Sequence, residues 1–281
     1  MGLKSNRELR EAVLCAVRAA RDANPLAGSV TNGVTMEFVA NAQLAAGGSA
    51  AMVYLPDEGE FLVDAGGATY VNLGTLLPVY EQTVPAVARR AHEAGKPWVL
   101  DPVGIGIGSL RTKILLELKG FAPSIVRGNA SEIIALAGLW GLEGDAAEMG
   151  RVRGVDTTDS VETARCAAVA LARWTGGAVA VSGEEDLVTD GDVVVCTRGG
   201  SPLMEKVTGF GCSLGGVMAV YAAVSDPLVA AVAGAVHYNV AGARAAARAC
   251  APASFKAAFV DELYLASPED VAGGALSVEE A

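Results

Sequence analysis

Apolar residues recur at helical spacing near the start of the chain. Leu9, Val13, Leu14 and Val17 make one stripe, which predicts a helix over 5–22. The stretch NPLAGSVTNGVT that follows is polar and rich in turn residues, and it predicts a loop. A second helical segment, Met36–Ala46, ends at Gly47-Gly48. Beyond it, β-prone runs at Ala50–Leu55, Thr69–Leu73, Trp98–Leu100, Ser124–Val126 and Ala178–Val181 predict strands. Helical stretches separate most of them: Pro78–Ala94, Arg111–Lys119, Ser131–Ala137 and Ser160–Trp174. This alternation implies an α/β chain whose mainly parallel sheet is covered by helices on both faces. Leu187–Thr189 and Val193–Cys196, joined by Asp190-Gly191-Asp192, predict a hairpin. From Cys212 to Arg248 the chain reads as an Ala- and Gly-rich helical pair broken near Asp226-Pro227. No repeat or long linker divides residues 1–281, so the pattern predicts one domain, with a loose tail over 268–281.

Composition narrows the class. Hydrophobic residues make up 52% of the chain and charged residues 19%, the opposite of the balance that keeps a chain disordered. A surface this poor in charge points to area buried between subunits. The formal net charge is −11 and no basic cluster occurs, so the electrostatic term that dominates nucleic-acid binding is missing. An anionic membrane surface is disfavoured for the same reason. Phosphates on a ligand must then be held by backbone N–H groups, a metal and a few placed cations. The five cysteines (15, 166, 196, 212 and 250) show neither paired nor metal-ligand spacing, which fits free thiols in a reducing compartment. The N-terminal stretch is charged throughout its apolar part and has no signal-peptide core. The uncharged runs Phe38–Pro56 and Val207–Ser225 are interrupted by Gly, Ser, Thr, Asn or Gln and read as buried core. The expectation is a cytoplasmic protein with a small-molecule ligand.

In open parallel sheets, ligands bind beyond the carboxyl ends of the strands. Four such places carry chemistry. Trp98–Leu100 runs into DPVGIG, Ser124–Val126 into RGNASE, and Ala178–Val181 into SGE; the fourth, KVTGFGC, opens a helix. The Gly209-Phe210-Gly211 turn leaves backbone N–H groups at a helix start, where the dipole adds positive potential suited to a phosphoryl group. Cys212 stands where that dipole lowers a thiol pKa, which suits a base or nucleophile; it equally suits a small residue packing the helix. Asp101 and Glu132 are acids at separate strand ends and together suit Mg²⁺ with phosphates completing the shell. Their plainer roles are a turn residue before Pro102 and a favourable charge in a helix's first turn. Arg127 has the reach for a polyphosphate, and Ser182 either caps a turn or touches a nucleotide. Asn32 lies near a turn with an amide donor and acceptor available to a polar heterocycle, although Asn before Gly is also common turn chemistry. Met52 reads as core or as a ligand wall, and His92 and His237 have no carboxylate or serine motif near them.

Taken in order, PLAGSVTNGVT, ANAQLAAGGSAAM, NLGTL, DPVGIG, IVRGNASEI and KVTGFGCSLG resemble the hydroxyethylthiazole kinase family from about Asn24 to Asp261. The resemblance implies a ribokinase-like αβα fold, usually trimeric, with substrate sites between neighbouring subunits. It implies MgATP-dependent phosphorylation of the hydroxyethyl group of 4-methyl-5-(2-hydroxyethyl)thiazole in thiamine salvage. By motif, Met52 and Gly209 match positions lining the thiazole site, and Asn32 lies in a loop associated with it. Arg127 and Ser182 match ATP-contacting positions, and Asp101 and Glu132 match acids associated with metal and phosphates. Cys212 matches the catalytic cysteine, within a Gly209–Gly211 turn that receives phosphoryl charge. Ser182 stands where Thr is usual in the family, and two further positions depart from its pattern. Phe210 stands where a smaller residue is usual, and its ring is expected in the acceptor cavity. Gly28 stands where His is common, and a polar contact is expected to be lost. The rival readings are a kinase of another small heterocyclic alcohol, pyrimidine or pyridoxine-like, an ATP-dependent NAD(P)H-hydrate dehydratase, and a catalytically silent descendant.

Overall fold

Ser5 caps the first helix, α1 (Asn6–Ala23), by accepting from the Glu8 N–H, and Asn24 ends it in a left-handed conformation. The computed structural model describes residues 5–142 and 161–281. After α1 the chain alternates β1 (Leu26–Val30), α2 (Met36–Ala45), β2 (Ser49–Met52), α3 (Pro56–Ala65), β3 (Ala68–Asn72), α4 (Tyr80–Ala94), β4 (Trp98–Asp101), α5 (Ser109–Leu118), β5 (Ile125–Asn129) and α6 (Ala130–Leu139). It continues with α7 (Arg165–Thr175), β6 (Ala178–Ser182), β7 (Glu185–Thr189), β8 (Val193–Arg198), α8 (Phe210–Ala222), α9 (Pro227–Arg248), α10 (Pro252–Leu265), α11 (Pro268–Ala272) and β9 (Ala275–Glu280).

Among the described residues the strands form one sheet in the order β2-β1-β3-β4-β5-β6-β7-β8-β9. The first six are parallel and the last three join antiparallel. Successive strand residues face opposite layers. Tyr70, Val99 and Ile125 join the core under α1, α2 and α8–α11, while Val71, Leu100 and Val126 join the core under α3–α7. The result is the three-layer αβα arrangement that the alternation predicts. The hairpin turns at Asp190, whose carboxylate accepts from the N–H groups of Asp192 and Val193. The break at Asp226-Pro227 falls between α8 and α9, with Asp226 capping the second helix.

Four expectations change. The first half of NPLAGSVTNGVT is β1, a buried central strand between β2 and β3; its small residues Ala27, Gly28 and Ser29 disguise it as loop. Pro56 does not simply close a run but starts α3, where a missing N–H costs nothing. The helix expected from Ser160 begins at Arg165, and Ser160 itself lies outside the described residues. The tail over 268–281 is not loose. Ser267 and Asp270 form a capping box for α11, and β9 pairs antiparallel with β8 from Arg198↔Ala275 to Val193↔Glu280. Arg10 of α1 fixes the junction by donating to the carbonyls of Ala272 (2.6 Å) and Gly274 (2.7 Å). Among the described residues, no helix is long and apolar enough to cross a membrane.

Candidate active site

Parallel pairing lines up the carboxyl ends of neighbouring strands. Asn72 at the end of β3 sits opposite Asp101 at the end of β4, and Asn129 opposite Ser182 at the ends of β5 and β6. Met52, half-buried, ends β2 beside Ser29 of β1. The N-terminus of α8 closes on this row. A Cβ on Gly211 would stand 2.6 Å from both terminal nitrogens of the Arg127 guanidinium, so only glycine admits that approach. Gly209 caps α8 at φ 98°, packed on Thr35, and has no side chain to spend on the helix's free N–H groups. A guanidinium and an uncapped helix start therefore lie side by side.

Buried Arg127 and Asp101 form one cluster with half-buried Ser182. Nη1 of Arg127 donates to Asp101 Oδ2 at 3.3 Å, and Nη2 and Nε donate to Ser182 Oγ at 3.0 and 3.3 Å. The same carboxylate oxygen accepts from the Tyr70 hydroxyl (2.9 Å) and from Asn72 Nδ2 (3.0 Å). Burial pushes the Asp101 carboxyl up, Arg127 pulls it back and Glu132 adds to the rise, which leaves it at about 6. Burial works against the Arg127 charge, but Asp101 and Glu132 outweigh it and push the guanidinium up. Asp101 Oδ1 is buried without a hydrogen-bond partner. Glu132 builds the capping box of α6: Oε2 accepts from Asn129 N–H at 2.9 Å, and Oε1 reaches Gly104 N–H at 3.3 Å. It thus plays its plainer expected part, the charge at a helix start, and its charge is felt at Asp101. Two oxygen acids suit a hard divalent cation that brings phosphate oxygens with it, and the orphaned Asp101 oxygen is the donor left open for one. Among the described residues no group of three or more His, Cys, Asp or Glu is placed to hold a metal.

Cys212 stands one turn into α8, with its sulfur 3.6 Å from Asn32 Nδ2. Its thiol is not lowered as the helix start predicts. Burial pushes it up, the Asp101 carboxylate adds to that, and Arg127, Thr35 and Asn72 oppose it. Asn32 is also less free than its sequence suggests. Its Oδ1 accepts from the N–H groups of Val34 and Thr35, both at 3.1 Å, and its Nδ2 donates to Asn72 Oδ1 at 2.8 Å. The amide is spent in turn chemistry while still facing the sulfur.

Phe210 does not enter the acceptor cavity. It is buried, with its ring edge-on to Phe38 and Phe259 at 5.0 and 4.6 Å and tilted to Phe255 at 5.6 Å. Nor does Gly28 stand for a lost polar contact at the row: a Cβ there would meet Leu62 Cβ at 2.9 Å, so α3 packs directly over it. His237 is buried among α8, α9 and α10, away from this cluster. Sequence reasoning missed Asn72 and Tyr70. Asn72 satisfies the same rule that selects Asp101, a polar residue closing a parallel strand, but it lies inside the apolar run TYVNL.

A sequence model of the hydroxyethylthiazole kinase family matches residues 17–269. The chain belongs to the hydroxyethylthiazole kinase family. A hydroxyethylthiazole kinase from Bifidobacterium longum (strain DJO10A) is 49% identical, over 96% of this chain and 92% of the relative. One from Cereibacter sphaeroides (strain ATCC 17029 / ATH 2.4.9) is 44% identical over 89% and 92%. Among solved structures, the hydroxyethylthiazole kinase protein of Pyrococcus horikoshii OT3 superposes with a TM-score of 0.84 at 31% identity, covering 96% of this chain and 99% of that one. The pyridoxal kinase of Staphylococcus aureus, at 15% identity and a TM-score of 0.56 over 78% and 87%, shares the fold. Membership of the hydroxyethylthiazole kinase family makes this protein a kinase.

Proposed function

We propose that the protein transfers the terminal phosphoryl group of ATP to the primary alcohol of 4-methyl-5-(2-hydroxyethyl)thiazole, a salvage step of thiamine biosynthesis. The observation that carries this reading is the convergence of Cys212 and the uncapped α8 start on the Arg127–Asp101–Ser182 cluster. Phosphoryl transfer asks a protein mainly for alignment and for stabilisation of spread negative charge. The N–H groups of the Gly209–Gly211 turn and the Arg127 guanidinium supply that stabilisation, with Ser182 holding the guanidinium in place. The alcohol oxygen forms the new P–O bond, ADP leaves with the broken one, and Cys212 accepts or orients the hydroxyl proton. Met52 and Gly209 line the acceptor side, and Asn32 faces the thiol. Asp101 and Glu132 would hold Mg²⁺ together with phosphate oxygens, where the ion neutralises the charge of ATP. A thiol pushed up by burial is a modest base at neutral pH, so turnover is expected to be slow. The free cysteines support a cytoplasmic setting, and the family resemblance supports a homotrimer with shared sites.

The test is ADP release with the thiazole alcohol against pyrimidine and pyridoxine-like alcohols. The thiazole should give the highest kcat/KM, and a clear preference for another alcohol would overturn the substrate. Cys212→Ala should lower turnover by about 10²-fold or less, the low end of general-base effects, and leave ATP binding intact. Turnover unchanged within about twofold would assign the thiol to packing.

A further inference from the structure

Asn72 is fully buried, and its side-chain amide has no spare hydrogen-bonding position. Its Oδ1 accepts from Asn32 Nδ2 at 2.8 Å and from the Gly74 N–H at 2.9 Å. Its Nδ2 donates to the Tyr70 hydroxyl at 2.9 Å and to Asp101 Oδ2 at 3.0 Å. Two acceptances and two donations use the whole amide inventory, so one orientation alone satisfies the site. A half-turn would set its NH₂ against the donors of Asn32 and Gly74, and its oxygen against the Asp101 carboxylate. Each of these leaves buried polar groups unpaired, which costs more than a hydrogen bond returns.

The fixed orientation passes to Asn32. With Asn32 Oδ1 held by Val34 and Thr35 N–H, its Nδ2 must point toward both Asn72 and Cys212. The sulfur therefore faces an N–H donor rather than a carbonyl oxygen. We propose that Asn72 is a positioning residue: it locks the Asn32 amide so that Cys212 meets a donor, and it ties that orientation to the Asp101 end of the site. A donor beside sulfur favours the reactive, electron-rich form, against the burial and the Asp101 charge that disfavour it. Asn72 acts mainly through Asn32, with its own amide also favouring the electron-rich sulfur, and does no chemistry itself. Its effect on turnover rests on the kinase reading above; its effect on the thiol does not.

Two readouts test the assignment on Asn72→Ala and, should that variant fold poorly, on Asn72→Ser. The first is the split between kcat and KM. Loss of alignment should lower kcat about tenfold or more while KM for ATP stays within about twofold. The second is the iodoacetamide alkylation rate of Cys212 at fixed pH, followed by peptide mass spectrometry with exposed Cys15 as the internal standard. Relative to Cys15, Cys212 should react about threefold slower in the variant, because it loses the oriented donor. An alkylation ratio that is unchanged or faster, or a kcat within about twofold of the parent protein, overturns the proposal. If the parent protein phosphorylates no alcohol, the kinase reading fails while the alkylation ratio still decides the role of Asn72.

Discussion

A phenyl ring between Gly209 and Gly211 has two directions open to it, the acceptor cavity or the helical layer. At 6% exposure and ringed by Phe38, Phe255 and Phe259, Phe210 has taken the second. Edge-to-face ring pairs add stabilisation beyond the apolar area they bury. Phe210→Ala should therefore cost about 3–5 kcal/mol of stability, since the space it leaves is walled by α2, α8 and α10. The order of preference among acceptor alcohols should stay the same. Thermal unfolding and kcat/KM over a graded alcohol series check this together; a broadened acceptor range with little loss of stability would return the ring to the cavity. The sequence shows the residue but not its direction, because its aromatic neighbours come from helices far from it along the chain. The glycines around it are more legible. Gly209 needs its left-handed backbone, a demand of the turn itself, while Gly211 needs its bare Cα for Arg127, which arrives from β5.

At the scale of elements, β3, β4 and β6 were legible to within a residue because both faces are buried and the run is mostly apolar. β5 continues three residues past the apolar run that announced it, through Arg127 and Gly128 to Asn129. β1 was not legible, because Gly28 and Ser29 stand in for the branched residues of an ordinary buried strand where Leu62 and Gln43 crowd it. The candidate site was legible wherever a polar residue follows an apolar run, as at Asp101, Arg127 and Ser182. Asn72 was hidden within its run, and the rise in the Cys212 pKa depends on burial that no spacing reveals. The helical layer behind the site carries its own acid sensitivity. His237 joins α8, α9 and α10: Tyr221 Oη donates to Nδ1 at 2.6 Å, and Nε2 donates to the Leu263 carbonyl at 2.8 Å. Leu263 offers only an acceptor, so the neutral ring carries its proton on Nε2. Burial, and then the Arg21 charge, lower the ring pKa to about 3. An unfolded chain protonates the same histidine near 6.5, so between those values the unfolded state binds more protons and stability falls as pH falls. Each pH unit below about 6 should cost up to about 1.4 kcal/mol until the folded ring titrates. Urea unfolding from pH 7 to 4.5 should show a flatter decline in His237→Gln than in the parent protein, although the variant starts lower. Parallel declines would remove His237 from the account.

The whole molecule leaves one edge of its sheet conspicuously apolar. β2 is the end strand, its residues are only half-buried, and it follows α2 and precedes α3. On those neighbours Leu44, Leu55 and Phe61 stay largely exposed, Phe61 to 67%. An open edge strand flanked by large apolar side chains invites pairing with another chain, and proteins that persist as monomers usually guard such edges with charge or proline. Asp57 and Glu58 at the start of α3 guard this one only partly, beside a shallow cavity of about 330 Å³ bordered by Val53, Phe61 and Leu62. Met52 ends the same strand, so a second copy seated here would cover the apolar edge and approach the acceptor side of the site at once. A contact of this kind is what the proposed homotrimer, with sites shared between two subunits, requires. Phe61→Asp places a charge that such a contact would have to desolvate without a partner, and it should shift the assembly toward monomer. Light scattering across a micromolar concentration series reads the mass, and the same samples report activity. Dissociation should lower kcat/KM for the alcohol while ATP binding persists, because Arg127, Asp101 and Ser182 all lie within one chain. A parent protein that is monomeric at micromolar concentration and fully active would sink the shared-site arrangement, and β2 would then be an edge that tolerates solvent.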